Sequence, residues 1–212
     1  MEDGLCGCRN NRTALLTTGR HALLIALAFD AMVTLVEFVG AMQSNSLMLW
    51  ENFGIGLYDG ILIYFNIIGL QSEHSGNPET GRRIAFWSDA MLAAGYSLAI
   101  VIGFFRLLHP GSPVNGALVL AIATAAALVN WFCSQLCPTA SVNGRSAQLK
   151  LRIGSFVGAA TVLNGAAIHL GNAVWVDAVI TIAVGVCVVA AVVRRHTHHE
   201  KTLRLLARVA EA

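Results

Sequence analysis

Asp59 stands near the middle of an apolar run long enough to cross a bilayer, and Asp30, Glu37, Glu51, Asp89 and Asp177 also fall in or at the edge of such runs. A carboxylate at the bilayer centre costs at least ~2.5 kcal/mol on insertion scales, so a partner, a cavity or a transported ion should compensate it. At a helical rise of ~1.5 Å per residue, Asp30 in the first run and Asp59 in the second reach similar depths on antiparallel neighbours. A carboxylate pair there can hold a cation, or share one proton and exchange it for a cation.

Glu51, Ile55 and Asp59 recur at i, i+4 and i+8 and share a helical face, with Asn52 beside it. Ser155, Thr161 and Asn164 on the fifth run and Asn130 on the fourth add hydroxyl and amide oxygens. Oxygen donors suit hard cations or water-filled paths, whereas zinc prefers imidazole and thiolate. The metal site expected from these residues is Asp59 and Asp30, assisted by Glu51, Asn52 and Ser155. The Ser, Thr and Asn residues could equally make helix–helix hydrogen bonds. Asp177, beside Trp175, is expected to stay hydrated and cap a helix, and Asp89 to pair with Arg82 or Arg83. Soft-metal capture has weaker candidates in Cys6 with Cys8, Cys133 with Cys137, and the His196, His198 and His199 tail.

The elements that must position these groups are legible in composition. Of 212 residues, 56% are hydrophobic and only 12% charged, with a mean hydropathy of +0.64. Soluble domains carry about a quarter charged residues, so this chain belongs in a membrane. Hydropathy predicts an all-α, polytopic membrane protein with six spans, at residues 21–42, 47–70, 84–108, 114–137, 150–170 and 174–193. Residues 1–20 and 195–212 are expected to be short cytoplasmic tails, with no cleavable signal peptide. Trp50, Trp87 and Trp175 fit interfacial anchors. Arg9, Arg12 and Arg20 precede the first span. Arg82 and Arg83 follow the second, Arg145, Lys150 and Arg152 surround the start of the fifth, and Arg194, Arg195, Lys201, Arg204 and Arg208 follow the sixth. Arg106 alone falls on the other side, so the positive-inside rule puts both termini in the cytoplasm. The cysteines are then expected to be free thiols.

The order of these features resembles the cation diffusion facilitator family, six-helix exporters of divalent metals. Glu37-Phe38-Val39-Gly40 followed by Ser44-Asn45-Ser46-Leu47 looks like the family's passage from the first span to the second. Asn77-Pro78-Glu79-Thr80-Gly81-Arg82-Arg83 is similar to its segment before the third span. Phe105-Arg106-Leu107-Leu108-His109-Pro110 resembles the end of that span, and Leu128-Val129-Asn130-Trp131 the fourth. The likeness covers residues 20–194. It implies a metal site built from paired ligands on the second and fifth spans, which fall here on Ile55 with Asp59 and on Leu151 with Ser155. Of those four, Asp59 alone keeps an acidic ligand. The cytoplasmic metal-binding domain usual in the family is not expected within residues 195–212.

The resemblance therefore implies a homodimeric transporter of the bacterial inner membrane. It would export a divalent cation (zinc, cobalt, cadmium, manganese or iron) by proton antiport through an altered site. The alternative is a transport-inactive relative that partners an active exporter. Expected partners are the lipid bilayer, the cation and protons, with no nucleic acid and no permanently bound cofactor. No nucleophile–base motif or cofactor fingerprint points to an enzyme.

Overall fold

Within hydrocarbon every backbone polar group must be satisfied inside its own segment, which makes long apolar runs without interior proline into helices. The computed structural model describes residues 3–44, 46–109, 114–171 and 175–210, and side chains within residues 19–44, 46, 48–109, 114–171, 175–195 and 197. It contains α1 (Asp3–Ser44), α2 (Leu47–His74), α3 (Pro78–Leu108), α4 (Gly116–Leu136), α5 (Val142–Gly171) and α6 (Trp175–Ala210). All six contain a stretch long and apolar enough to cross a membrane. This is the fold of a multi-pass membrane protein.

Local chemistry sets the boundaries. Ser46 caps α2, its hydroxyl accepting from the Leu49 amide. Ser75-Gly76-Asn77-Pro78 makes the expected turn: Gly76 takes φ +84°, Asn77 caps α3, and Pro78 occupies its first turn. With that cap in place α3 begins earlier than hydropathy indicates and carries Arg82 and Arg83 within its first turns. Helix α5 likewise starts ahead of its apolar run, because the Ser141 hydroxyl accepts from the Gly144 amide at 2.8 Å. At the opposite face the Asn115 amide donates to the Ser44 carbonyl at 3.1 Å, tying the start of α4 to the end of α1.

Helices α1, α2, α5 and α4 close into a ring, each packing on the next, while α3 and α6 pair with each other and lie against α2 and α5. The α4–α5 contact is the most extensive because small residues bring the two backbones together. A Cβ on Gly165 would stand 2.7 Å from the Leu120 nitrogen, and one on Gly158 2.8 Å from the Ala127 Cβ. Gly54, another small residue in the spans, has nothing within 4 Å of such a position. The surface is inverted relative to a soluble protein: Leu35, Phe105, Leu128, Leu163 and Val186 are exposed, while Asp30, Glu37, Asp59, Asp89 and Lys150 are buried.

Candidate cation site

A small cavity of about 30 Å³ lies inside the ring at mid-span. From α1 it is lined by Asp30, Thr34 and Glu37, which share one face; from α2 by Asn52, Ile55, Gly56 and Asp59. Tyr96 enters from α3 and Asn130 from α4, and α5 contributes Gly154, Val157 and Gly158. Asp30 and Asp59 are each 6% exposed, and they interact electrostatically with each other and with Glu37. The side chains reach the site because α2 presents no bulk there. A Cβ on Gly60 would come 3.3 Å from the Asp30 Oδ2, and Gly56 lies against the Thr34 hydroxyl.

Five polar atoms around this cavity lack protein partners. Asp30 Oδ2, Thr34 Oγ1, Asp59 Oδ1, Tyr96 OH and Asn130 Oδ1 are all buried without a hydrogen bond. Buried polar atoms are rarely left so, and several around one space mark a place for something polar. A cavity of this size holds a water or a small ion. Among the described residues the lining carries three carboxyl groups and no Lys, Arg or His. Burying unpaired charge costs several kcal/mol per ion, so the space requires positive charge, supplied as protons or as a cation. The donors are oxygens throughout, the set that suits hard cations. Among the described residues no three His, Cys, Asp or Glu side chains converge to hold a metal ion. The arrangement is therefore three carboxyl groups, Asp30, Glu37 and Asp59, among hydroxyl and amide oxygens, rather than a zinc tetrahedron.

The residues expected from sequence separate into two groups. Asp30, Asp59 and Asn52 meet at the cavity, where Asn52 also donates to the Thr161 hydroxyl at 3.2 Å. Glu51 and Ser155 do not line it. Glu51 turns to α6 and accepts from Thr181 at 3.0 Å, with Asp177 and Arg106 as charged neighbours. Ser155 donates to the Ala127 carbonyl on α4 at 3.1 Å. Of the positions the family resemblance singled out, Ile55 packs at the edge of an apolar cluster and Leu151 is buried in another. Thr34 and Tyr96 belong to the cavity and carried no signal when each was taken alone. Glu37 and Asn130 were noticed for their chemistry but not for this place.

Two further expectations change. Asp89 does not pair with Arg82 or Arg83; Arg83 reaches Glu79 instead. Asp89 is buried between Lys150 Nζ at 3.3 Å and Arg195 Nη1 at 3.0 Å, and accepts from Ser146 at 2.5 Å. Asp177 is 1% exposed rather than hydrated and accepts from the Asn164 amide at 2.6 Å, because α5 places an amide against the first turn of α6. Cys133 and Cys137 are free and lie in the apolar cluster beside Leu23 and Ile63, with the Cys137 thiol directed at the Cys133 carbonyl. The side chains of Cys6, Cys8, His196, His198 and His199 lie outside the described residues.

Fold and site together define a class: a six-helix membrane protein with an acidic cavity at mid-span. Set against protein-family models and against curated proteins, the chain matches none.

Proposed function

We propose that this chain is a cation transporter that moves a divalent ion across the membrane in exchange for protons, with Asp59 and Asp30 as the exchanging pair. The observation that carries the reading is the cluster of unpartnered oxygens (Asp30 Oδ2, Asp59 Oδ1, Thr34 Oγ1, Tyr96 OH and Asn130 Oδ1) around an acidic cavity within the spans. In such a site a cation replaces protons, and protons replace the cation, so the bare charge is never left alone in lipid. The oxygen donors suit manganese better than zinc. The resemblance to the cation diffusion facilitators supports export as the direction, a bacterial inner membrane as the place and a homodimer as the assembly. The basic helix ends at Arg20, Arg82, Arg145, Arg152 and Arg194 support cytoplasmic termini.

Purified chain in liposomes tests this with zinc, cobalt, cadmium, manganese and iron(II). Manganese flux coupled to opposing proton movement is expected, and Asp59→Asn should lower it at least about 10-fold, the loss of about 1.4 kcal/mol of transition-state stabilisation. Flux unchanged in Asp59→Asn would remove the site.

A second reading is favoured by one observation: Ile55 and Leu151 are packed in apolar clusters, so among the described residues no full ligand set converges. On that reading the chain is a transport-inactive partner of a larger exporter. It would co-purify with that exporter and carry no flux alone.

A further inference from the structure

A second polar cluster lies at the other end of the bundle from Arg82, Arg145 and Arg194, where α2 and α6 begin and α3 and α5 end. Glu51 comes from α2, Arg106 from α3, Asn164 from α5, and Asp177 and Thr181 from α6. Close packing fixes the register between α3 and α6. A Cβ on Gly103 would stand 3.3 Å from both the Ala178 carbonyl and Thr181 Cγ2, which sets Arg106, one turn further along α3, beside the first turn of α6 and Asp177. Asp177 accepts from Asn164 Nδ2 at 2.6 Å, and Glu51 Oε2 accepts from Thr181 at 3.0 Å.

The other polar atoms of the cluster are left over. Among the described residues Glu51 Oε1, Asn164 Oδ1 and Arg106 Nε and Nη2 are buried with no hydrogen bond, and Asn164 is 0% exposed. Orphaned donors and acceptors around one spot mark a place for water or a proton. The charged groups facing Glu51 are Asp177 and Arg106, and α5 brings the neutral amide of Asn164. Two carboxyl groups and one guanidinium leave one negative charge over, and a proton on Glu51 Oε1 balances it. The cluster also adjoins the cavity. Asn52, next to Glu51, lines the cavity and donates to Thr161 at 3.2 Å, and Thr161 is one turn from Asn164 on α5.

We propose that Glu51 binds the proton that the cavity exchanges, as the station between Asp59 and this end of the membrane. The proposal rests on the cation-site reading above. The step is a proton transfer alone: the O–H bond at Glu51 breaks, its electron pair staying on the carboxylate, and an O–H bond forms on Asp59 as the cation leaves. Glu51 and Asp59 are about 12 Å apart along α2 at ~1.5 Å per residue, so water beside Asn52 and Thr161 carries the proton between them. Buried acidic groups in series serve as proton relays in pumps and transporters.

Two measurements test it. Infrared difference spectra between acid and alkaline pH, taken on detergent-solubilised chain without metal, should hold the C=O band of a neutral buried carboxyl that Glu51→Gln removes. Thr181→Val leaves Glu51 in place and should shift that band to higher wavenumber while keeping its area, because the carboxyl loses its hydrogen bond. A spectrum the same in Glu51→Gln as in wild type, or a band indifferent to Thr181→Val, would overturn the proposal. In liposomes, Glu51→Gln should lower proton-coupled Mn²⁺ flux about 100-fold, the low end of what one positioned proton-transfer group contributes to a rate, with Mn²⁺ affinity at fixed pH unchanged. A purely structural Glu51 predicts that affinity and flux fall together, and that result would also overturn it. If wild type carries no Mn²⁺ flux while Glu51→Gln still removes the band, the cation reading fails and Glu51 keeps its proton.

Discussion

At the scale of the residue, the protein handles buried charge in two ways. Asp89 is satisfied by Lys150, Arg195 and Ser146, whereas Asp30 and Asp59 each keep an oxygen without a partner. The first arrangement is structural in its energetics: removing one member of a buried ion cluster leaves uncompensated charge, at about 3–5 kcal/mol. Asp89→Asn sets Lys150 and Arg195 against each other without their shared carboxylate, and should lower the thermal unfolding midpoint in detergent by an amount that reflects that loss. Lys150→Met should cost less, since Arg195 still neutralises Asp89. The reverse order would mean that Lys150, not Arg195, is the main partner. The second arrangement is costly to stability and valuable to binding, because an unsatisfied oxygen is available to a ligand.

At the scale of the element, helices α1, α2 and α5 carry their polar groups at heptad spacing. Asn52, Asp59, Asn66 and Glu73 follow one another so on α2, and Asp30, Glu37 and Ser44 on α1. On α5 the same register joins Asn143, Lys150 and Asn164, interrupted by Val157. Heptad spacing keeps one side of a helix turned to its neighbours, so a polar seam runs along the inside of the ring. The spans themselves were legible, since hydropathy alone separates lipid-facing stretches from their polar ends. The pair Asp30 and Asp59 was legible too, from depth on antiparallel helices. Thr34 and Tyr96 were not, because a hydroxyl in a span reads the same whether it bonds its own helix or faces a cavity. The partners of Asp89 were hidden for a different reason: Lys150 and Arg195 are distant in sequence, while Arg82 and Arg83 are a turn or two away and seemed the cheaper pairing. Close packing gives the element-scale prediction. Gly165→Val would press a branched side chain onto the α4 backbone and should destabilise the protein by about 1–3 kcal/mol. Gly54→Ala, with open space around it, should be neutral to slightly stabilising. Detergent thermal melts of both variants check the contrast; equal effects would mean that α4 and α5 are not in contact at Gly165.

At the scale of the whole molecule, the ring of α1, α2, α5 and α4 lines the acidic cavity, and the α3–α6 pair braces it through Tyr96 at the cavity and the Asp89–Lys150–Arg195 cluster. A cation entering the cavity must meet Asp30 and Asp59 together, and charge balance then requires protons to leave. Exchange of cation for protons at one place is the proposed chemistry, and proton release on binding reads it out. Weakly buffered, detergent-solubilised protein is titrated with Mn²⁺ while pH and bound metal are recorded. Mn²⁺ is expected to bind with release of about one proton or more per ion, and both signals should vanish together in Asp59→Asn. Binding without proton release, or the same release in Asp59→Asn as in wild type, would contradict it.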